Sequence, residues 1–218
     1  MWKRIPKEVA TQPLTGVYSD WKPILSVEGY HQCVYCFVNE TYFGGVRNFH
    51  VEHYKPKTKF IPLTNVYSNL FYACSICNTF KSDDWPNEPD MDYDKAFYPN
   101  PSIVNYSDIF EIEHGTHIIK GKNFTSTYLV NRLFLNRKQL VIYRKTNFVE
   151  EMYKIEIERV KKIKDFLFDR ITISKSSLER GKCVDYLKKF EQLTSNLETV
   201  YKKKNSTVPY AREDIERK

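Results

Sequence analysis

Cys33-Val-Tyr-Cys36, Asn48-Phe-His-Val-Glu-His-Tyr-Lys-Pro56 and Ser68-Asn-Leu-Phe-Tyr-Ala-Cys-Ser-Ile-Cys-Asn-Thr-Phe-Lys81 are the stretches that decide the fold. A Cys-x-x-Cys turn aims both sulfurs at one point. Two such turns, Cys33/Cys36 and Cys74/Cys77, close a tetrahedral structural Zn²⁺ site. Such a site pins together the ends of the segment it encloses. Within that segment Asn48 to His53 alternates as a strand does, and Tyr54-Lys-Pro56 ends it. Alternation sets His50 and Glu52 on one face, while His53 stands where the strand stops and can turn toward a groove. Ser68 to Cys74 reads as a returning strand, and Ser75 to Ser82 as a knuckle running into a short helix. Strand, loop, strand and helix, clasped by four cysteines, make an α+β arrangement.

Outward from this centre the character of the chain changes twice. Residues 1–30 are mixed, with Trp2, Trp21 and several prolines, and are expected to pack on the core. Residues 31–92 carry every candidate reactive group and end in the turn-rich Ser82-Asp-Asp-Trp-Pro-Asn-Glu-Pro-Asp90. Residues 93–218 are expected to form one compact unit with the core, a β-hairpin followed by a helical C-terminal region. Asp108 to Glu113 and Thr116 to Lys120 flank His114-Gly115 as hairpin strands flank a glycine turn. A short helix is predicted from Thr125 to Leu135. Asn136 is then placed to cap a long helix with an apolar stripe of Val141, Phe148, Met152, Ile155, Ile163 and Phe166. Ser176-Ser-Leu-Glu179 reads as a capping box for a third helix, striped by Cys183, Tyr186, Leu187, Phe190, Leu193, Leu197 and Val200. Lys202, Lys203 and Lys204 complement the dipole at its end, and the polar last dozen residues are expected to fray.

Composition excludes several classes. With 41% hydrophobic and 28% charged residues the chain has the makings of a globular core rather than a disordered tract. No apolar run approaches the roughly 18 residues of a membrane helix, and the first residues do not resemble a signal peptide. A net charge of +7 favours a polyanionic partner. Five cysteines, an odd count, speak against a secreted disulfide framework. Paired spacing speaks for metal in a reducing, cytoplasmic setting. Cys183 is left over and reads as a small buried hydrophobe.

Taken together, Cys-x-x-Cys, Glu52-His53-x-x-Pro56-Lys57 and Asn69-Leu70-x-x-x-Cys74-x-x-Cys77-Asn78-x-x-Lys81 resemble the HNH endonucleases of the ββα-metal finger type, in register across residues 33–81. The Glu-His-Tyr-Lys-Pro-Lys wording is most similar to stand-alone bacterial HNH nucleases of anti-phage defence, encoded beside an ATPase in Septu or retron loci. Phe97-Tyr-Pro-Asn-Pro101 and Leu133-Phe-Leu-Asn-Arg137 are more loosely similar to segments that follow the finger there.

The resemblance implies metal-dependent hydrolysis of phosphodiester bonds in nucleic acid, foremost double-stranded DNA, leaving 5′-phosphate and 3′-hydroxyl ends. It implies His53 as general base, Glu52 and Asn78 as ligands of a catalytic Mg²⁺ or Mn²⁺, and Asn69 as the brace of the loop that carries the base. Glu52 stands where the family usually has Asp. Lys55, Lys57 and Lys81 are expected near the scissile phosphate. The helices beyond residue 125 are expected to dock a companion ATPase or a second copy of the chain. Read without the resemblance, Asn69 also suits a turn and Asn78 a helix cap, and His50 suits either a metal contact or a structural hydrogen bond. Two other functions compete: a zinc-stabilised module that binds nucleic acid without cutting, and a mobile-element or homing nuclease. The first has no use for a base beside a metal. The second lacks an added DNA-reading motif.

Overall fold

The computed structural model describes residues 2–7 and 13–205, with side chains described as far as residue 199. The polar tail therefore lies outside the described residues, and Val200 of the third-helix stripe and the terminal Lys202 to Lys204 lie outside the described side chains. The chain divides into two compact units, Met1–Lys145 and Thr146–Lys218. The division falls inside a long helix, not at the changes of composition near residues 30 and 92.

In the first unit, β1 (Phe49–His53) pairs antiparallel with β2 (Leu70–Cys74), with Phe49 opposite Cys74 and His53 opposite Leu70. All five residues of β2 are buried, as their unbroken apolar run requires of a strand covered on both faces. One cover is α1 (Lys22–Glu28), which buries Leu25 and packs against β2. The first cysteine turn is tied to the same strand, since the Val34 N–H donates to the Tyr72 carbonyl at 2.9 Å. Phe37 closes that turn in a left-handed conformation, φ 45°, its N–H donating to the Cys33 carbonyl at 2.8 Å. Helix α2 (Ser75–Lys81) leaves β2 without a linker, and the Cys74 sulfur caps it by accepting from the Cys77 N–H at 3.5 Å.

Farther along, α3 (Tyr106–Ile109) leads into β3 (Phe110–Ile112), which pairs antiparallel with β4 (Ile119–Gly121). The predicted hairpin is present with shorter strands, and Gly115 in its turn has φ +89°, a conformation costly for any side-chain-bearing residue. Helix α4 (Phe124–Arg132) begins one residue earlier than predicted. Asn123 Oδ1 accepts from the Ser126 N–H at 2.8 Å, and Ser126 Oγ accepts from the Asn123 N–H at 3.1 Å, a reciprocal cap. Gly121 lies so close to this helix that a Cβ there would sit 2.3 Å from the Thr127 nitrogen.

The expected role of Asn136 is corrected. Helix α5 (Lys138–Ile173) starts beyond it, and the Asn136 amide instead serves the open edge of β4. Its Nδ2 donates to the Ile119 carbonyl and its Oδ1 accepts from the Ile119 N–H, both at 2.8 Å, as a neighbouring strand would. Buried Arg144 locks this arrangement, donating to the carbonyls of His117 at 2.6 Å and Leu135 at 2.9 Å and to Asn136 Oδ1 at 3.0 Å.

The segment after α2 is anchored on α4 by Asp84, whose Oδ2 accepts from Tyr98 Oη at 2.8 Å, Arg132 Nε at 3.1 Å and Tyr128 Oη. Burial pushes the Asp84 carboxyl up, but these three donors outweigh it and hold it below the ordinary aspartate range. A depressed carboxyl contributes stability that is complete above its unfolded pKa, about 3.9, and is lost as pH falls through the lower folded value. Asp84→Asn should therefore lower the melting temperature at pH 7 and flatten its dependence on pH below about 4. Thermal melts across that range check this; parallel curves for the two proteins would contradict it.

In the second unit, the later part of α5 is followed by α6 (Ser177–Asn205). Half of the predicted capping box forms. Ser176 Oγ accepts from the Glu179 N–H at 3.3 Å, while the Glu179 carboxylate turns to Ser174 Oγ at 2.7 Å and to Arg170. Leu167, Cys183 and Leu187 are buried together with Ile171 and Phe190 against them, so Cys183 is the small hydrophobe expected. The apolar stripes run wider than this core. Met152, Ile155, Ile163 and Phe166 on α5 and Tyr186 and Leu193 on α6 are exposed, because two helices alone cover only a narrow seam. Among the described residues no helix is long and apolar enough to cross a membrane.

Candidate metal centre and adjoining groove

The two cysteine turns meet because β2 delivers Cys74 at its end and carries the first turn on its flank. All four Sγ atoms, of Cys33, Cys36, Cys74 and Cys77, lie within 4.8 Å of one another, and all four residues are buried and free of disulfides. Zn–S bonds of about 2.3 Å in a tetrahedron give edges of about 3.8 Å. The Cys36 and Cys74 sulfurs stand 3.8 Å apart. The donor set and spacing fit a metal such as zinc, which these four thiols could hold as a structural ion. Burial pushes the Cys33 thiol well up, and its contact with Cys36 adds to this. A dication among the sulfurs is what makes ionisation of all four favourable.

One residue at this centre escapes a reading of the motif. Arg137, just before α5, brings Nη2 to 3.5 Å from Cys77 Sγ and 3.8 Å from both Cys36 and Cys74 Sγ. Burial opposes its charge, but the sulfurs of Cys77, Cys36 and Cys74 more than offset that and raise its pKa.

Beside the cluster lies a groove of about 680 Å³. Glu52 and His53 from the end of β1 and Asn78 from the middle of α2 all line it, so three of the four residues singled out as catalytic are brought together. The fourth, Asn69, works from behind. Its Oδ1 accepts from the Lys55 N–H at 2.8 Å, and its Nδ2 donates to the carbonyls of Lys55 at 3.0 Å and Leu63 at 3.3 Å. It thereby ties the end of β1 to the loop that returns to β2. That loop also holds His53, whose Nε2 is 3.0 Å from the Thr64 carbonyl oxygen. A carbonyl can only accept, so Nε2 bears the proton and the neutral ring keeps its lone pair on Nδ1. Burial lowers the His53 pKa below the ordinary histidine value, with Lys57 and Lys81 adding to the effect against the pull of Thr64. The ring is therefore neutral at pH 7. Tyr18 packs edge-on against it, centroids 4.8 Å apart.

Glu52 is 2% exposed and its Oε1 is already engaged, 2.7 Å from Lys81 Nζ and 3.2 Å from Tyr35 Oη. Burial pushes its carboxyl up while Lys81 and Tyr35 oppose the shift. His50, on the same strand face, is exposed at the groove wall.

The lysines are placed unequally. Lys57 lines the groove, its Nζ donating to Tyr18 Oη at 3.0 Å. Lys55 does not line it; its ammonium pairs with Glu88 at 2.7 Å and lies over the rings of Phe60 and Trp85. Lys81 departs furthest from expectation. It is 0% exposed, bonded to Glu52 and to the His53 carbonyl at 2.9 Å, with the Tyr98 ring 5.3 Å away. A side chain so enclosed cannot contact a phosphate in the groove. It holds up the site from beneath. Lys22 and Arg47 supply basic groups on the groove wall instead. The motif singled out neither residue, since each comes from a segment outside the paired strands.

Comparison with protein-family models, with curated proteins and with solved structures finds no match for this chain.

Proposed function

We propose that the chain is a metal-dependent endonuclease of the HNH type that hydrolyses phosphodiester bonds in nucleic acid, with double-stranded DNA as the foremost substrate. The observation that carries this reading is the meeting of a neutral, tautomer-fixed His53 with Glu52 and Asn78 in one groove edged by Lys22, Arg47 and Lys57. In this reading His53 Nδ1 takes the proton from the attacking water, while the Thr64 carbonyl holds the opposite nitrogen and so keeps the ring oriented. Glu52, through the oxygen that Lys81 leaves free, and Asn78, through its amide oxygen, would hold a Mg²⁺ or Mn²⁺ that keeps part of its water shell. Bound there, the ion supplies charge stabilisation of the phosphoryl and leaving oxygens. Lys22, Arg47 and Lys57 position the polyanionic backbone and read no sequence. The wider setting we infer with it, an anti-phage effector in the cytoplasm beside a companion ATPase, rests on the resemblance alone.

Plasmid incubated with the zinc-loaded protein and Mn²⁺ tests the proposal. Nicked and linear forms should appear, vanish with EDTA, and fall about 10²–10⁴-fold with His53→Ala. Supercoiled plasmid surviving in every lane, with the protein shown to bind it by mobility shift, would replace the enzyme with a binding module.

A further inference from the structure

We propose that Arg137 is the built-in counter-cation of the metal-loaded four-cysteine cluster, fixed so as to cancel half of the cluster's net charge. Four thiolates around a dication carry a net charge of −2, and these sulfurs are buried. Enclosing such a charge without a partner is costly. The Nη2 of Arg137 faces three of the four sulfurs, at 3.5, 3.8 and 3.8 Å. Its Nη1 donates to the carbonyls of Leu133 at 3.1 Å and Phe134 at 3.4 Å, where α4 ends. Carbonyls at a helix C-terminus favour a cation, and the Phe80 ring lies 6.0 Å from the guanidinium carbon. One side of the planar fork is thus anchored on oxygen and the other is presented to sulfur, a division that a single ammonium cannot reproduce.

The consequence is thermodynamic. Beside four neutral thiols the half-buried guanidinium of Arg137 faces no counter-charge; beside four thiolates and a dication it faces one. Arg137 therefore favours the metal-bound, fully ionised cluster, and by linkage it tightens metal binding. This inference rests on the cysteine cluster and not on the nuclease reading, and its test uses no cleavage assay.

The test compares the full chain with Arg137→Met, Arg137→Gln and Arg137→Lys, with folding followed by near-ultraviolet circular dichroism. Competition with a chromophoric chelator should show zinc affinity lower by about 10–100-fold in the two neutral variants, the range for removal of an outer-shell partner. Arg137→Lys should fall between them and the native protein. After substitution with Co²⁺, the sulfur-to-metal charge-transfer band should move to lower energy in the neutral variants, because thiolates without a facing cation give up electron density more readily. Folded neutral variants with native zinc affinity and an unmoved band would overturn the proposal. So would Arg137→Lys behaving no better than Arg137→Met, which would reduce Arg137 to packing. Should neither neutral variant fold, folding of Arg137→Lys carries the proposal and its failure overturns it.

Discussion

Removing zinc from the four-cysteine cluster is expected to melt the region from Cys33 to Lys81, the largest effect any single change should have on this protein. Cys74 is where β2 ends and α2 begins, and its sulfur caps that helix. The other turn reaches β2 mainly through Val34. With four repelling or protonated sulfurs at the junction, the angle between the short strands and the seven-residue helix is left to the Lys81–Glu52 pair and to core packing. In isolated zinc fingers the metal contributes about 10–16 kcal/mol. Here the aromatic core around Trp2, Phe49, Tyr72 and Phe110 shares the task, so a smaller loss is expected, of the order of several kcal/mol. Cys74→Ser, or chelation confirmed by elemental analysis, should abolish near-ultraviolet ellipticity from those rings and lower the melting temperature. A metal-free protein with unaltered ellipticity and melting temperature would show that the sulfurs are mere core packing.

Lys81→Met should come next, destabilising the protein by about 3–5 kcal/mol, as loss of one partner of a buried ion pair does. Both members are enclosed, with side chains 0% and 3% exposed, and their separation is 2.7 Å. Removing the ammonium leaves the buried Glu52 carboxylate with Tyr35 Oη as its remaining donor and frees the His53 carbonyl of its donor. The partner change identifies the cause. Adding Glu52→Gln to Lys81→Met removes the stranded charge and should restore part of the lost stability, giving a clear coupling term in a double-mutant cycle. Denaturant unfolding of the four proteins measures it. Additive losses would mean that the two side chains do not act as a pair.

The centre of this fold was legible because its signals are local. Cys-x-x-Cys spacing, the alternation through Glu52 and the run from Leu70 to Cys74 each specify geometry within a few residues. The bracing role of Asn69 came from the resemblance alone, the residues by themselves suiting a turn as well; its partners Lys55 and Leu63 lie in the loop it closes. What failed to show depends on distant chain. Lysine is exposed by default, and only the enclosure of Lys81 by Glu52, the His53 carbonyl and Tyr98 reverses that. Asn136 has the chemistry of a helix cap, but the same amide pairs equally well with a strand edge, and the unpaired side of Ile119 decides. The Asn123 cap was hidden because its third residue is Ser126 where the usual pattern has Glu or Gln. Lys22 and Arg47 carry no signal until α1 and the turn before β1 are folded beside the strands.

The guanidinium above the sulfurs also sets a timetable for biosynthesis. Arg137 follows Cys77 by 60 positions, which at about 5–20 residues per second is roughly 3–12 s of translation. During that interval a nascent chain can present all four cysteines to solvent before the side chain that faces them has been made. Until then the ionised sulfurs lack the cation that we propose faces them, so the metal centre is complete only when the ribosome has passed its distant arginine.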